Sequence, residues 1–293
     1  MKKVAIIGGG KVGKTLGRLL RKAGYKILGV VNRSIESAKK AVTFIGDGKP
    51  FRQNKIAVGD ADIVLLTTPD DVIKKTCDGI SKGKGFRRGA IVLHCCGSTS
   101  SYELLESARK SGAYIASLHP LRSFADPSTA IKNFKGTFCV YEGDKKATPI
   151  VKKIIRDIGG VSLQSKADRK ALYHSGAVFG SNYVVALFHI GVSLFEATGI
   201  SHKDATASLL YLLEGTIGNI KKVGVTKALT GPIERGDISN IERHLETLDI
   251  HNSQLAKIYS LLGSIAVDIA IKKGSITNRK GVKLKKLLKK FAK

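Results

Sequence analysis

The chain opens with the apolar run Val4-Ala5-Ile6-Ile7, and the stretch Gly8-Gly9-Gly10-Lys11-Val12-Gly13 follows at once. Three of these glycines stand at the spacing G-x-G-x-x-G. The first permits a tight turn, the second lets a pyrophosphate approach the backbone, and the third lets a helix pack closely on a strand. Apolar residues then recur at helical spacing up to Gly24, and the N–H groups at the start of such a helix face bound phosphates. The stretch therefore predicts a dinucleotide-binding domain in which the cofactor contacts Gly8, Gly10, Lys11, Val12 and Gly13.

The second predicted strand ends in Asn32-Arg33-Ser34. Sites for NAD usually place an Asp or Glu at this strand end, where the carboxylate binds the ribose 2′-OH. An arginine beside two short hydrogen-bonding side chains suits a 2′-phosphate instead, because guanidinium and phosphate form a charge-assisted fork. The sequence therefore favours NADP (NADPH), with Asn32, Arg33 and Ser34 as contacts. The alternative is that Ser34 only caps the next helix and Arg33 is a solvated charge.

Three further apolar segments predict strands whose carboxyl ends carry polar residues. Residues 62–68 lead into Thr67-Thr68-Pro69, residues 90–93 precede His94, and residues 113–118 precede His119. In a doubly wound sheet the ligand lies over such strand ends. We therefore predict that Thr67, Thr68 and Pro69 line the cofactor site, that His119 is catalytic and that His94 binds substrate. Each histidine is alternatively a structural residue bonded to backbone.

The pattern of the chain changes near Ser165. Before it apolar strands alternate with helices, and after it only helical periodicity remains. We predict an α/β domain with a doubly wound, mostly parallel sheet over residues 1–165, and an all-α domain over residues 166–293. In the second domain, the loop 230–237 combines turn-forming residues with Arg235 and Asp237, and it is either a substrate-facing loop or a plain helix connection.

The composition is that of a globular protein, since 43% of the 293 residues are hydrophobic. The start of the chain leaves no room for a signal peptide, so we expect a cytoplasmic protein. The four cysteines lack metal-ligand spacing, and no metal site is predicted. The uncharged segment between Lys170 and Glu196 is long enough to span a bilayer, but its polar side chains are costly in lipid. We expect a buried helix there and no membrane association.

The net charge is +27, and ten Lys and Arg residues with no acid lie between Lys272 and the end. Basic tails of this kind can bind nucleic acid or anionic lipid. However, four apolar residues of this tail share one helical face: Leu284, Leu287, Leu288 and Phe291. We therefore expect the tail to dock on the protein with its lysines in solvent, which makes nucleic acid an unfavoured partner but leaves it open.

Four segments together resemble the oxidoreductases that join an N-terminal Rossmann-like half to a C-terminal DUF2520 domain. They are the Gly8–Gly13 loop, His119-Pro120-Leu121-Arg122-Ser123-Phe124, Tyr173-His174 with Ser181-Asn182-Tyr183, and Ala228-Leu229-Thr230-Gly231-Pro232 with Arg235-Gly236-Asp237. This group is similar in layout to pyrroline-5-carboxylate reductase, ketopantoate reductase and the hydroxyacid dehydrogenases of the 6-phosphogluconate type. The resemblance implies a Rossmann domain, then a helical domain of the 6-phosphogluconate dehydrogenase C-terminal-like type, with NADPH as cofactor and a homodimer formed through the helical domain.

The resemblance also implies reduction of a small-molecule carboxylate. The leading substrate is a 2-oxo acid, 2-dehydropantoate (ketopantoate), which would be reduced to pantoate. The alternative is a cyclic imine, as in pyrroline-5-carboxylate reductase. A non-catalytic NADP-binding or nucleic-acid-associated protein is the alternative of another class.

Hydride transfer to a carbonyl leaves charge on oxygen, which requires an acid or preorganised donors. Lys170 and His174 are four residues apart, hence on one helix face, and Ser181 and Asn182 lie two turns further along. In the related dehydrogenases a Lys and an Asn at this spacing orient the substrate. We predict Lys170 or His174 as proton donor, Asn182 as the orienting group, Arg235 as the carboxylate clamp, and Ser181 and Asp237 as substrate contacts. Alternatively, His174 and Asn182 satisfy each other inside a helix bundle.

Overall fold

The structure, a computed structural model, describes residues 1–292. Its first compact unit, Met1–Val184, is built on an eight-stranded sheet of order β3-β2-β1-β4-β5-β6-β7-β8. The strands are β1 Lys3–Ile7, β2 Lys26–Val31, β3 Lys49–Phe51, β4 Ile63–Leu66, β5 Ile91–His94, β6 Tyr114–Pro120, β7 Phe138–Gly143 and β8 Val161–Gln164. Every neighbouring pair is parallel except β6 with β7. The predicted doubly wound, mostly parallel sheet is confirmed.

Helices cover both faces of this sheet. They are α1 Lys11–Lys22, α2 Ile35–Ile45, α3 Asn54–Val58, α4 Asp70–Lys82, α5 Ser101–Leu104, α6 Glu106–Lys110, α7 Pro127–Lys132 and α8 Thr148–Asp157. A further helix, α9 Lys170–Gly180, follows the last strand. One apolar core joins the sheet to α1, α2 and α8, and a second joins its other face to α3, α4 and α6. Because both faces are covered, the central strands are apolar throughout, as in β4 with its sequence Ile-Val-Leu-Leu.

The second compact unit begins at Val185 and is helical. Its helices are α10 Asn182–Glu196, which starts just before the division, α11 His202–Ala228, α12 Pro232–Arg235, α13 Ile238–His251, α14 Ser253–Lys273 and α15 Asn278–Phe291. The basic helix α15 buries Leu284, Leu287 and Leu288 in a core shared with α13 and α14. The expected docking of the tail is therefore observed, because its apolar face supplies part of the core of this unit.

Two details differ from the sequence-based expectations for residues 165–198. The first compact unit extends to Val184 rather than ending near Ser165. The helix expected between Lys170 and Glu196 is interrupted at Ser181, whose φ of −134° and ψ of −70° are not helical. Helix α9 belongs to the first unit because two of its residues bond to that unit. Lys170 donates to the carbonyl of Cys96, which follows β5, and Tyr173 is hydrogen-bonded to His119 of β6.

The expectation of a buried helix between Lys170 and Glu196 is wrong for the single chain. The segment Ala167–Glu196 has a mean hydropathy of 1.6, yet only 6% of its apolar window is buried. A second segment, Ser253–Lys273, also has the length and hydropathy of a membrane span, but its Val267 and Ala270 lie in a core. Two such helices are weak evidence for a membrane. A continuous apolar run indicates that the surface of the helix is shielded from water, but it does not identify what packs against that surface.

Candidate active site

The glycine turn between β1 and α1 has the geometry of a phosphate cradle. Gly8 has a φ of +106°, and a Cβ there would lie 2.7 Å from the backbone of Thr67 and Thr68. A Cβ on Gly13 would collide with the carbonyl of Gly8, so helix and strand pack directly against each other. At Gly10, by contrast, a Cβ would meet nothing within 4 Å, and within the described chain no side chain caps the start of α1. Open space beside uncapped N–H groups fits a pyrophosphate.

The three residues that follow β2, Asn32, Arg33 and Ser34, differ in the contacts they make. Asn32 Oδ1 accepts a hydrogen bond from the Gly9 N–H, so Asn32 fixes the glycine turn. Ser34 Oγ accepts from the Ser37 N–H at 3.2 Å and caps α2, which is the alternative that the sequence analysis left open for it. Arg33 is exposed, and none of the carboxylates in residues 1–292 lies within ion-pair distance of it. Arg33 is therefore the cation available for a 2′-phosphate.

The polar residues after β4 shape the other wall of the turn. Thr67 Oγ1 donates to the Gly8 carbonyl at 2.5 Å, and the Thr67 backbone N–H donates to Ile7 at 2.8 Å. Thr68 Oγ1 is buried and has no partner within the described chain. Pro69 directly precedes α4, whose first turn carries two acids. Thr67 thus holds the turn closed, whereas Thr68 has an unused hydroxyl beside the predicted cofactor position.

A cluster of aromatic side chains forms where β5 and β6 end. His119 Nδ1 and the Tyr173 hydroxyl are hydrogen-bonded at 2.7 Å, and the His119 and His174 rings have centroids 5.7 Å apart. Gly97 lies directly against both imidazoles: a Cβ there would be 2.8 Å from His119 Cε1 and would collide with His174 Cδ2. Because β4, β5 and β6 are neighbours, His119 lies two strands, roughly 10 Å, from the β4 end. The cluster thus shares the sheet edge with the glycine turn.

Burial determines the ionisation of this cluster. Burial, then His174 and Lys170, lower the pKa of His119 to about 4, while Asp70 opposes the shift. Burial raises the pKa of Tyr173 to about 12. At neutral pH the His119 imidazole is therefore neutral and the Tyr173 hydroxyl keeps its proton. Because both groups are neutral and keep a proton, the pair can donate a hydrogen bond to an oxygen on which negative charge develops.

Two of the predicted site residues, His94 and Lys170, are buried. His94 is 0% exposed, its Nδ1 accepts from the Cys96 N–H at 3.1 Å, and burial holds its pKa well below the usual range. His94 Nε2 is buried and has no hydrogen-bond partner within the described chain, and the substrate contact of His94 stays a prediction. Lys170 is 2% exposed, and its Nζ donates to the Cys96 carbonyl at 2.8 Å. Its ammonium is bonded within the protein, and its role as proton donor stays a prediction.

The remaining predicted site residues are Ser181, Asn182, Arg235 and Asp237. Ser181 and Asn182 are exposed, and the break at Ser181 takes Asn182 off the helix that carries His174, so these two do not satisfy each other in a bundle. In the second unit, Asp237 Oδ1 caps α13 by accepting from the Asn240 N–H at 3.2 Å, and Arg235 is exposed. Their substrate contacts stay predictions.

Sequence reasoning assigned no role to three residues that shape the cluster: Tyr173, Glu142 and Gly97. Glu142 is 3% exposed, and its two carboxylate oxygens accept from the Ser101 N–H and Oγ, each at 2.8 Å. A carboxylate inside the otherwise buried strand β7 was the available signal, because a buried acid needs partners. Gly97 carried no such signal, since its role depends on two imidazoles distant in sequence. In the part of the chain described, no group of three or more His, Cys, Asp or Glu residues forms a metal site.

Comparison with known proteins agrees with this architecture. Residues 1–120 match the model of a Rossmann-like domain, and residues 137–265 match the model of a domain of unknown function, DUF2520. A glutamyl-tRNA reductase from Priestia megaterium is 35% identical over 89 residues, which are 30% of this chain. The chain spans only 20% of that protein.

Three solved structures have the same fold over almost the whole chain. Protein TM1727 from Thermotoga maritima is 26% identical, with a TM-score of 0.74 over 92% of this chain and 99% of that one. A reductive aminase from Aspergillus terreus in complex with NADPH is 18% identical, with a TM-score of 0.64 over 99% and 93% of the two chains. A pyrroline-5-carboxylate reductase from Coxiella burnetii is 17% identical, with a TM-score of 0.58 over 98% of each. The chain is therefore a protein with a Rossmann-like domain followed by a DUF2520 domain, in the fold of NADP oxidoreductases.

Proposed function

We propose that the protein is an NADPH-dependent reductase of a small carboxylate-bearing substrate, with a 2-oxo acid as the substrate class and 2-dehydropantoate as the first candidate. The observation that carries this proposal is the His119–Tyr173–His174 cluster at the same sheet edge as the glycine turn. A nucleotide on the turn would bring its reactive end toward that cluster.

The cofactor residues fit NADPH. The open space at Gly10 and the uncapped start of α1 suit the pyrophosphate, and Arg33 suits the 2′-phosphate. When bound, the nicotinamide supplies a hydride. Two protein features then prepare the site: Thr67 keeps the turn closed, and Asn32 fixes the Gly9 N–H.

His174 is the proton donor in this proposal. It is half-buried, whereas Lys170 is enclosed, so an approaching substrate can reach the His174 ring and not the ammonium. Hydride addition to a carbonyl carbon places negative charge on oxygen, and an imidazole N–H within hydrogen-bond reach stabilises that charge and transfers the proton. His119, bonded to Tyr173, supports the position of the His174 ring from behind.

A comparison of His174→Ala with wild type tests this assignment. We expect turnover to fall about 100- to 10,000-fold, the usual contribution of a general acid, while the Kd for NADPH stays unchanged. His251→Ala, at an exposed histidine of α13, is the control and should keep full activity. Unchanged turnover in His174→Ala would remove His174 from the mechanism.

A cyclic-imine substrate is the second candidate. It is favoured by the structural similarity to a pyrroline-5-carboxylate reductase and a reductive aminase, because both names refer to the reduction of a C=N bond. Those likenesses lie below 20% identity and show the fold, so the substrate must be decided by assay. Reduction of a protonated imine leaves a neutral amine and needs no proton donor at the nitrogen. Retained imine turnover in His174→Ala would therefore favour the imine over the 2-oxo acid.

We also propose that the protein forms a homodimer through the apolar faces of α10 and α11. Val185, Tyr211 and Leu212 are 70%, 83% and 64% exposed in the single chain. Apolar surface of this extent on neighbouring helices is costly in water and is typical of an interface. A second copy of the chain is the simplest partner, because it can cover these apolar faces without any other protein.

A further inference from the structure

The cluster described above is bordered by a buried ion pair that the proposed chemistry does not use directly. Lys170 and Glu142 are 2% and 3% exposed, and Lys170 Nζ lies 3.6 Å from Glu142 Oε1. Each partner also holds a second group. Lys170 Nζ donates to the Cys96 carbonyl at 2.8 Å, and Glu142 accepts two hydrogen bonds from Ser101.

These contacts fix one loop at both ends. The loop runs from Cys96, after β5, to Ser101 at the start of α5. Lys170 holds its first residue and Glu142 holds its last, while Gly97 between them lies against the rings of His119 and His174. Because Lys170 begins α9, the same pair also ties the loop to the helix that carries Tyr173 and His174.

Stability alone does not account for this pair. Removing two charges from water costs several kcal/mol per ion, and well-packed apolar side chains of similar volume often serve a fold equally well. Burial outweighs Glu142 in its effect on Lys170 and lowers the pKa of the ammonium, which shows that the position carries an electrostatic cost. A cost of this kind next to a candidate active site points to a role in the geometry or charge of that site.

We propose that Lys170 and Glu142 are positioning residues that hold the 96–101 loop against His119 and His174 and so set the geometry of the proton donor. The proposal rests on the proposed function in taking His174 as that donor. Without the Lys170 ammonium, the Cys96 carbonyl and the Glu142 carboxylate lose their shared partner inside the protein. The loop then relaxes, and Gly97 no longer confines the two rings.

The ammonium also acts on His119 through space. It is one of the groups that lower the pKa of His119, together with His174 and against Asp70. Tyr173 and His94 complete the titratable groups in contact with this ring or coupled to it. Loss of the ammonium in Lys170→Met should therefore raise the pKa of His119, whereas Lys170→Arg should keep it low.

The test combines NMR titration of the imidazole Cε1–H groups with steady-state kinetics. The His119 signal is identified by its loss in His119→Asn. In Lys170→Met we expect the His119 midpoint to move upward and kcat to fall about 100-fold with little change in KM, since a misplacement near 1 Å costs about that much. Lys170→Arg should recover most of kcat. Lys166→Met, at an exposed lysine, is the matched control and should leave the midpoint and kcat unchanged.

A double variant separates positioning from folding. Lys170→Met with Glu142→Leu removes both charges together, so it should be more stable than Lys170→Met alone. We expect this double variant to fold and to stay impaired in kcat. Full kcat in the double variant, or an unmoved His119 midpoint in Lys170→Met, would overturn the positioning role.

The NMR titration needs no turnover. Absence of any reductase activity in wild type would reject the proposed function while leaving the effect of Lys170 on His119 measurable. Normal wild-type activity with an unmoved midpoint would instead reject the positioning role alone.

Discussion

At the scale of single residues, we expect the cofactor site to depend on Gly10, because its missing side chain leaves the space that a pyrophosphate needs. We expect Gly10→Val to abolish NADPH binding, measured by calorimetric titration, without unfolding the protein. Gly79→Val is the matched control, since a Cβ on Gly79 would also meet nothing within 4 Å but lies within helix α4, away from the turn. Full NADPH affinity in Gly10→Val would show that the glycine stretch is only a turn.

We expect Arg33 to determine the choice between NADPH and NADH. Its guanidinium is exposed and has no carboxylate partner in the described chain, so it is available to a 2′-phosphate. Arg33→Asp removes the phosphate partner and adds a ribose acceptor, and we expect the ratio of NADPH to NADH affinity to fall about 10- to 100-fold. Lys39→Asp, an equal change of charge at an exposed residue of α2, should leave that ratio unaltered. An unchanged ratio in Arg33→Asp would count against NADP.

Buried His119 should make folding stability depend on pH. Its pKa is about 4 in the folded protein and near its ordinary value of 6.5 when unfolded, so between these values the unfolded state binds an additional proton. The contribution of this neutral ring is present above pH 6.5 and is lost as the pH falls toward 4. We expect a loss of about 2–3 kcal/mol from this group, measured as the urea unfolding free energy of wild type minus that of His119→Gln at each pH. A pH-independent difference would show that His119 titrates normally.

At the scale of elements, the sequence predicts helices and strands best where the local hydrophobic pattern agrees with the burial that the fold imposes. The core strands β1, β4, β5 and β6 were predicted from apolar runs, because a strand covered on both faces must be apolar throughout. The short elements β3, α3 and α7 were missed, since three to six residues carry too little periodicity. The break at Ser181 was missed because the hydrophobic run continues across it. The burial of Lys170 was not predicted, because spacing places a residue on a helix face without showing what covers that face.

Helix α15 illustrates a basic segment whose first role is packing. Leu284 is 0% exposed in the core of the second unit. We expect Leu284→Ala to lower the free energy of unfolding by about 2–5 kcal/mol, measured by denaturant titration. Val282→Ala, at a residue 68% exposed on the same helix, should change it by less than about 0.5 kcal/mol. Equal small effects of both substitutions would mean that the tail does not contribute to the folded core.

At the scale of the whole molecule, the exposed apolar helices predict self-association. Tyr211→Glu with Leu212→Glu places two charges on α11 where we expect a second copy to bind. Sedimentation velocity should show a dimer for wild type and a monomer for this variant. Val282→Glu, at an exposed residue of α15, is the control and should remain dimeric. A monomeric wild type would reject the homodimer, and salt-sensitive binding of RNA or DNA by wild type would restore the basic surface as a functional feature.

Reduction of a small carboxylate substrate with NADPH is the activity on which the roles of His174, Lys170 and Glu142 depend. It is measured as the rate of NADPH oxidation by the purified full-length protein, followed by absorbance, with 2-dehydropantoate, other 2-oxo acids and pyrroline-5-carboxylate. NADPH binding is measured in parallel. We expect tight NADPH binding and turnover on a 2-oxo acid that depends on His174. Tight binding with no turnover on any of these compounds would contradict the reductase proposal and favour a non-catalytic nucleotide-binding protein.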